Sequence, residues 1–221
     1  MRTLVALTLL TLLSACGSTA GGPTILAASS LTDVLPELAS AHEQRGGEAG
    51  TLVFGGSSHL AAQVRDGVPA DVFLTADPDL LPAGVEAVPF ATNRLVLAVP
   101  AGNPAGVTGP DALAVPDLRV AVCAEPVPCG AATRRLGLPL APDTEEASVR
   151  AVVSRLALGE ADVGVVYATD VLSSDGVEAI ADLPASVGYV AAALTPVGER
   201  FVGFLASDVA AGILDAHGFD R

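Results

Sequence analysis

Short apolar runs and helical stripes take turns along this chain. Thr24–Ala28 is a first apolar run, and Leu31, Val34, Leu35 and Leu38 then recur at the i, i+3, i+4, i+7 spacing of one helix face. Thr51–Phe54 is a second run, followed by Leu60, Ala61 and Val64 on another helical stripe. Asp71–Ala76 (DVFLTA) reads as a short buried strand, and Asp77-Pro78 has the order of an N-cap and an N1 proline opening a helix. Arg94–Val99 is the next strand, closed by Pro100. Pro36 lies inside the first helical stripe, where a proline costs about 3 kcal/mol or kinks the helix. That helix is therefore expected to begin later than Leu31.

The Gly/Asn/Pro-rich segment 101–106 (AGNPAG) breaks the pattern and is the candidate crossover into a second lobe. That lobe is expected to hold a short helix near Asp111–Leu113, a strand at Leu118–Cys123 and a helix opened by Gly130. In Ser148–Leu158, the residues Val149, Val152, Val153, Leu156 and Ala157 make an apolar face opposite Arg150, Ser154 and Arg155. Asp162–Tyr167 is another buried strand, and Val187–Leu194 is the expected return crossover. Two helices, about Glu199–Leu205 and Asp208–His217, end the chain, the second stopped by Gly218 as a C-cap glycine. Repeated βα units imply parallel or mixed sheets with helices on both faces.

The N-terminus follows a different logic. Arg2, the apolar stretch Leu4–Leu13 and the sequence Leu13-Ser14-Ala15-Cys16 have the order of a bacterial lipoprotein export signal. A stretch of ten residues reaches about half of a ~30 Å hydrocarbon layer, too short to span it. Residues 1–15 are thus expected to be a signal peptide and 16–23 a flexible tether. A lipid on Cys16 would anchor the chain to the membrane, outside the cytoplasm. Once Cys16 is acylated, Cys123 and Cys129 face an oxidising compartment with no third thiol, and a local disulfide is the simplest outcome. A metal site would need more Cys or His at ligand spacing, which His42, His59 and His217 do not supply.

Composition narrows the function classes. With 51% hydrophobic and 16% charged residues the chain has material for a core, so disorder is excluded as its main state. The formal charge is −14, and all 11 basic residues are Arg, which leaves no basic face for nucleic acid. A chain without Lys cannot carry the P-loop. FGGSSHL sets Ser57 and Ser58 beside His59, the seed of a secreted serine hydrolase, but G-x-S-x-G is absent and sequence neighbours are rarely triad partners. Glu145-Glu146 and Asp77/Asp79 read as solvated turns and helix starts, not as an acid–base pair.

In open α/β sheets ligands bind at the carboxyl ends of strands. Here the junctions share a feature: Ala27-Ala28-Ser29-Ser30, Gly55-Gly56-Ser57-Ser58 and the Pro-rich turn before Gly130 each lead from a strand into a helix. Each offers free backbone N–H groups at a positive helix end, and two add hydroxyls. Ser30 or Ser57 alone is an ordinary N-cap; three such ends around one cleft would form a donor-only cage for a small oxyanion. Tyr167 ends a buried strand, where its hydroxyl could serve the same cleft.

AASSLTDV (27–34), FGGSSHLAAQV (54–64), GVPADVFLTAD (67–77), VPCG (127–130) and GVVYATD (164–170) together resemble the molybdate-binding proteins of bacterial ABC importers, over about Thr24 to Phe219. The resemblance implies an α/β type II periplasmic-binding fold, with two lobes of mixed sheet joined by a two-strand hinge. It places one lobe at 24–97 plus 188–221 and the other at 98–187. It further implies a monomeric receptor, not an enzyme and without cofactor, that captures molybdate or tungstate through neutral donors and delivers it to an ABC permease with its ATPase subunits. The implied contacts are Ser30 and Ser57 through hydroxyl and N–H, Cys129 and Val149 through backbone N–H, and Tyr167 through its hydroxyl. Cys129 stands where many relatives carry Ala, and Gly55-Gly56 where small polar residues or Ala are common, which leaves the donor open between Ser57 and Ser58. Sulfate, phosphate or an organic acid is the alternative ligand within the same fold.

Overall fold

The computed structural model describes residues 21–220; the expected signal peptide, Cys16 and most of the tether lie outside them. Eight strands form one sheet: β1 (Thr24–Ala28), β2 (Thr51–Gly55), β3 (Val72–Thr75), β4 (Val88–Pro100), β5 (Val120–Cys123), β6 (Thr144–Glu146), β7 (Val163–Tyr167) and β8 (Val177–Ala193). Seven α-helices accompany them: α1 (Leu35–Gln44), α2 (Ser57–Arg65), α3 (Pro128–Arg135), α4 (Val149–Ala157), α5 (Ala168–Leu172), α6 (Glu199–Leu205) and α7 (Asp208–Ala216). No helix among the described residues is long and apolar enough to cross a membrane.

The strand order is β2-β1-β3-β8-β4-β7-β5-β6. β1, β2 and β3 run parallel to one another, as do β5, β6 and β7, and the antiparallel pair β4 and β8 stands between the two sets. Register fixes where the sets lie. β3 ends with Thr75 opposite Val190, itself related to Val88–Pro89 of β4, whereas β7 ends with Tyr167 opposite Leu95 of β4. The two sets approach the middle of the β4–β8 pair from opposite directions, so their carboxyl ends meet across Phe90–Arg94. This is the two-lobed arrangement of a type II periplasmic-binding fold.

Several elements differ from the sequence expectation. The segment 101–106 is a turn, and the chain passes between the two strand sets inside β4 instead. β4 begins six residues before Arg94, at Val88; register shifts near Ala91, Val96 and Ala98 break the alternation that would mark so long a strand. β8 likewise starts at Val177, because its first half carries half-buried Glu178, exposed Asp182 and a proline, Pro184, that disguise a strand lying beside β4. α3 opens at Pro128, not Gly130: proline at the helix start has no N–H to leave unpaired. Asp77 does cap a turn, accepting from the Asp79 amide at 3.0 Å, but only a short 3-10 segment, Pro78–Leu80, follows. Glu145 and Glu146 are not in a solvated turn; they sit on β6 and pair with Arg134 and Arg155.

Other expectations hold. Ser29–Leu31 is a 3-10 turn and α1 starts at Leu35 with Pro36 in its first turn, where proline is tolerated. α4 buries Val149, Val152, Val153 and Leu156 and is capped by Ser148, whose hydroxyl accepts from the Ala151 amide. Gly218 follows α7 with φ of 81°, the left-handed value that ends a helix cheaply only at glycine.

The main core runs through both strand sets, with Val72, Leu74, Leu95, Leu97, Val120, Val122, Val165 and Tyr189 on one continuous cluster. Leu97 is fully buried on β4 between β7 and β8. Leu97→Ala should cost about 2–5 kcal/mol, as other buried Leu→Ala changes do. A urea denaturation midpoint unchanged from wild type would show that β4 is not the packed centre.

Candidate functional site: a donor-lined cavity between the strand sets

Four backbone junctions converge where the strand sets meet. β1 runs into Ser29–Leu31, β2 into α2, β5 into α3 across the 124–127 turn, and β6 into α4. Ala28, Ser29, Ser30, Gly56, Ser57, Ala76, Val127, Pro128, Cys129, Val149 and Tyr167 line one tight cavity. All five residues expected from sequence are therefore brought to one place. Ser58, the alternative to Ser57, is not among the lining residues; its hydroxyl donates to the Pro126 carbonyl of the facing set. The cavity holds about 10 Å³, the space of a single water.

Ser57, Cys129 and Val149 lie in the first turns of α2, α3 and α4, whose amides have no partner within the helix. Among the described residues, the amides of Ser30, Ser57, Cys129 and Val149 find no protein acceptor. The Ser57 hydroxyl oxygen accepts from the Ala76 amide at 3.5 Å, which leaves its proton free for the cavity. Ser30 Oγ is 2.7 Å from the hydroxyl of Tyr189. The Tyr167 hydroxyl is buried without a partner. Burial, with lesser contributions from Tyr189 and Asp170, pushes its ionisation well above the ordinary range, so it stays a donor. No lining residue carries a charge at neutral pH.

The cavity is held by the disulfide expected from the sequence and by further contacts that the sequence did not announce. The disulfide Cys123–Cys129, with Cα atoms 5.8 Å apart, ties the end of β5 to the first turn of α3 and fixes the loop that presents the Cys129 amide. Gly56 approaches the Ala147 carbonyl so closely that any Cβ would overlap it. Arg150, next to Val149, pairs with Asp33 beyond the Ser29–Leu31 turn and lies 3.2 Å from Asp170. Asp170 in turn accepts from the Tyr167 amide at 3.2 Å. One guanidinium thus joins elements that carry Ser30, Val149 and Tyr167. Tyr189 and Arg150 were not singled out from sequence; an isolated tyrosine in the apolar run VGYVAAAL was the available signal for the first. His59 is exposed on α2 and bonds Gln63, 2.9 Å away, so it does not reach the cavity. Among the described residues, no three His, Cys, Asp or Glu side chains gather as a metal ion would need.

Asp170 is fully buried, and burial pushes its carboxyl up to about 7 against the opposing pull of Arg150 and the Tyr167 amide. In the unfolded chain a carboxyl ionises near about 4. Between those values the folded protein keeps a proton that the unfolded chain has released, so this group's contribution to stability falls as pH rises from about 4 to about 7 and then levels off. The urea midpoint of wild type should therefore drop between about pH 5 and 8 more than that of Asp170→Asn. Parallel pH profiles for the two proteins would rule this out.

Comparison with known proteins agrees with this architecture. The profile of the family described as bacterial extracellular solute-binding protein matches residues 23–220. The molybdate-binding protein ModA of Mycobacterium bovis is 36% identical, over 99% of this chain and 96% of its own length. Among solved structures, the periplasmic molybdate-binding protein of Azotobacter vinelandii superposes with a TM-score of 0.73 at 21% identity, covering 90% of this chain and 99% of that one. The sulfate-binding protein SubI of Mycobacterium tuberculosis reaches the same TM-score at 18% identity, over 90% and 86% of the two chains, so fold alone does not choose the oxyanion. The chain belongs to the bacterial extracellular solute-binding proteins, in the family of the molybdate-binding proteins of ABC importers, which carry a solute and catalyse no reaction on it.

Proposed function

We propose that this protein captures molybdate or tungstate in the cavity between the strand sets, outside the cytoplasm, and hands it to an ABC permease driven by ATPase subunits. The observation that carries the reading is the lining itself: four amides without a protein acceptor, the unpartnered Tyr167 hydroxyl and the hydroxyls of Ser30 and Ser57, with no charged side chain among them. The donors are Ser30 and Ser57 through hydroxyl and N–H, Cys129 and Val149 through N–H, and Tyr167 through its hydroxyl. About five to seven charge-assisted hydrogen bonds at roughly 1.5–3 kcal/mol each exceed the several kcal/mol that binding costs. A lipid on Cys16 would keep the receptor at the membrane, beside its permease.

The same lining accounts for selectivity. A fully deprotonated tetrahedral dianion presents only acceptors and meets only donors. Phosphate near neutral pH keeps a proton, whose O–H would find no acceptor. Sulfate is smaller, and lobes closed around the larger ion would leave some donors out of its reach. The lobes, 24–97 plus 188–221 and 98–187, part slightly about β4 and β8 to admit the ion and close on it. Closure then needs Gly56 without a side chain and the Arg150–Asp33 pair across the cleft.

Calorimetric titration with molybdate, tungstate, sulfate and phosphate at fixed salt tests this. One-to-one binding of the first two at about micromolar Kd or tighter is expected, with little heat from the others. Ser57→Ala and Tyr167→Phe should each weaken molybdate binding about 10- to 100-fold, and Gly56→Ala should weaken it by blocking closure. Tight sulfate binding with silence from molybdate would assign the cavity to a different oxyanion.

A further inference from the structure

Ser57 and Ser30 face the cavity in the same way, but the groups behind them differ. Behind Ser57 is the Ala76 amide, which can only donate, so the serine proton is left for the cavity. Behind Ser30 is the hydroxyl of Tyr189, which can donate or accept. We propose that Tyr189 is a positioning residue that donates to Ser30 Oγ and so holds the Ser30 hydroxyl as a donor toward the bound oxyanion. The inference rests on the reading of Ser30 as an oxyanion contact.

Two hydrogen-bond directions are open to the pair at 2.7 Å. If Ser30 donates to Tyr189, a serine lone pair faces the anion and the contact is repulsive. If Tyr189 donates to Ser30, the chain Tyr189 O–H to Ser30 O–H to anion runs in one direction, and each bond polarises the next. A phenol is the stronger acid of the two hydroxyls and the better donor, which favours the second direction. Both side chains are buried, so water does not compete for the bond. Burial also holds the Tyr189 phenol protonated, above the ordinary range.

Tyr189 is not among the residues lining the cavity and so reaches the ion only through Ser30. Its ring is fixed independently of its hydroxyl by edge contacts with Phe219, Phe90 and Tyr167 at centroid distances of 5.6, 6.1 and 6.3 Å. It also sits on β8 opposite Ala91, within the stretch where the chain crosses between strand sets. The orientation of a donor on the β1 side is thereby tied to the strand pair that joins the two halves.

The test is molybdate titration of the full-length protein and its Tyr189→Phe, Ser30→Ala and Ser57→Ala variants, alone and in pairs, with ligand-free melting as the check on folding. Tyr189→Phe should weaken binding about 5- to 15-fold, the range of one net hydrogen bond. It should cost nothing further in the Ser30→Ala background and its full effect in the Ser57→Ala background. Equal loss in both backgrounds means that the hydroxyl only supports the structure, and overturns the inference. Wild-type affinity in Tyr189→Phe, with Ser30→Ala impaired, overturns it while leaving the oxyanion reading intact. Wild-type affinity in Ser30→Ala removes the reading on which it rests. Should Tyr189→Phe not fold, fluorotyrosine labelling of the two tyrosines gives a second readout. The Tyr189 fluorine signal should move on molybdate addition in the Ser30 protein and stay still in Ser30→Ala; the same movement in both would overturn the inference.

Discussion

Unpaired hydrogen-bond donors at buried helix ends are the constraint around which this molecule is organised. A buried polar group without a partner costs about 1–3 kcal/mol, and several belong to residues that line one small space here: four amides and the Tyr167 hydroxyl. A fold maximising its own stability would cap these ends with side chains, as Ser207 caps α7 by accepting from the Ala210 amide. Leaving them open means that stability is recovered only when an acceptor arrives. The site is a deficit in the protein's own hydrogen bonding, shaped so that a compact anion fills it.

That shape depends on the direction of the strands. Parallel strands bring helix N-termini to one edge, and two parallel sets laid against opposite stretches of the β4–β8 pair point those edges at each other. The junction is two strands wide, so the halves can move relative to one another with little loss of pairing within each set. Across the cleft itself the halves meet through polar contacts such as the Ser58 hydroxyl on the Pro126 carbonyl and the Arg150 guanidinium on Asp33. Such contacts are made and broken at small net cost, because water replaces them when the cleft opens.

A protein of formal charge −14 that takes up an anion looks paradoxical until distance is considered. Exposed carboxylates more than about 10 Å away are largely screened by salt, whereas amide dipoles at contact distance act in a dry space where their field is strong. The nearby ionic cluster is arranged consistently with this. Asp170 is held 3.2 Å from Arg150, whose positive charge offsets the charge this carboxyl carries beside the cavity.

The sequence by itself determined the elements that short-range physics controls. Apolar periodicity located β1, β2, β3, β5, β7, α4 and α6, proline placement delayed α1, and the strand-to-helix junctions with free hydroxyls pointed to Ser30, Ser57 and Tyr167 as neighbours in one cleft. Cys123 and Cys129 could be paired by counting thiols. The tertiary structure decided what depends on partners remote in the chain. The first half of β8 and the start of β4 lack an alternating pattern, and they are strands because the first lies beside the apolar end of β4 and the second beside the apolar end of β8. Ser57 rather than Ser58 faces the cavity because the Pro126 carbonyl, 68 residues away, takes up the Ser58 hydroxyl. Tyr189 stands behind Ser30 across a separation of 159 residues, and Arg150 finds Asp33 only when the two strand sets meet. A local pattern records which face a residue turns to the core; it holds no record of which polar group will come to stand opposite, since that is settled by how the sheet is assembled.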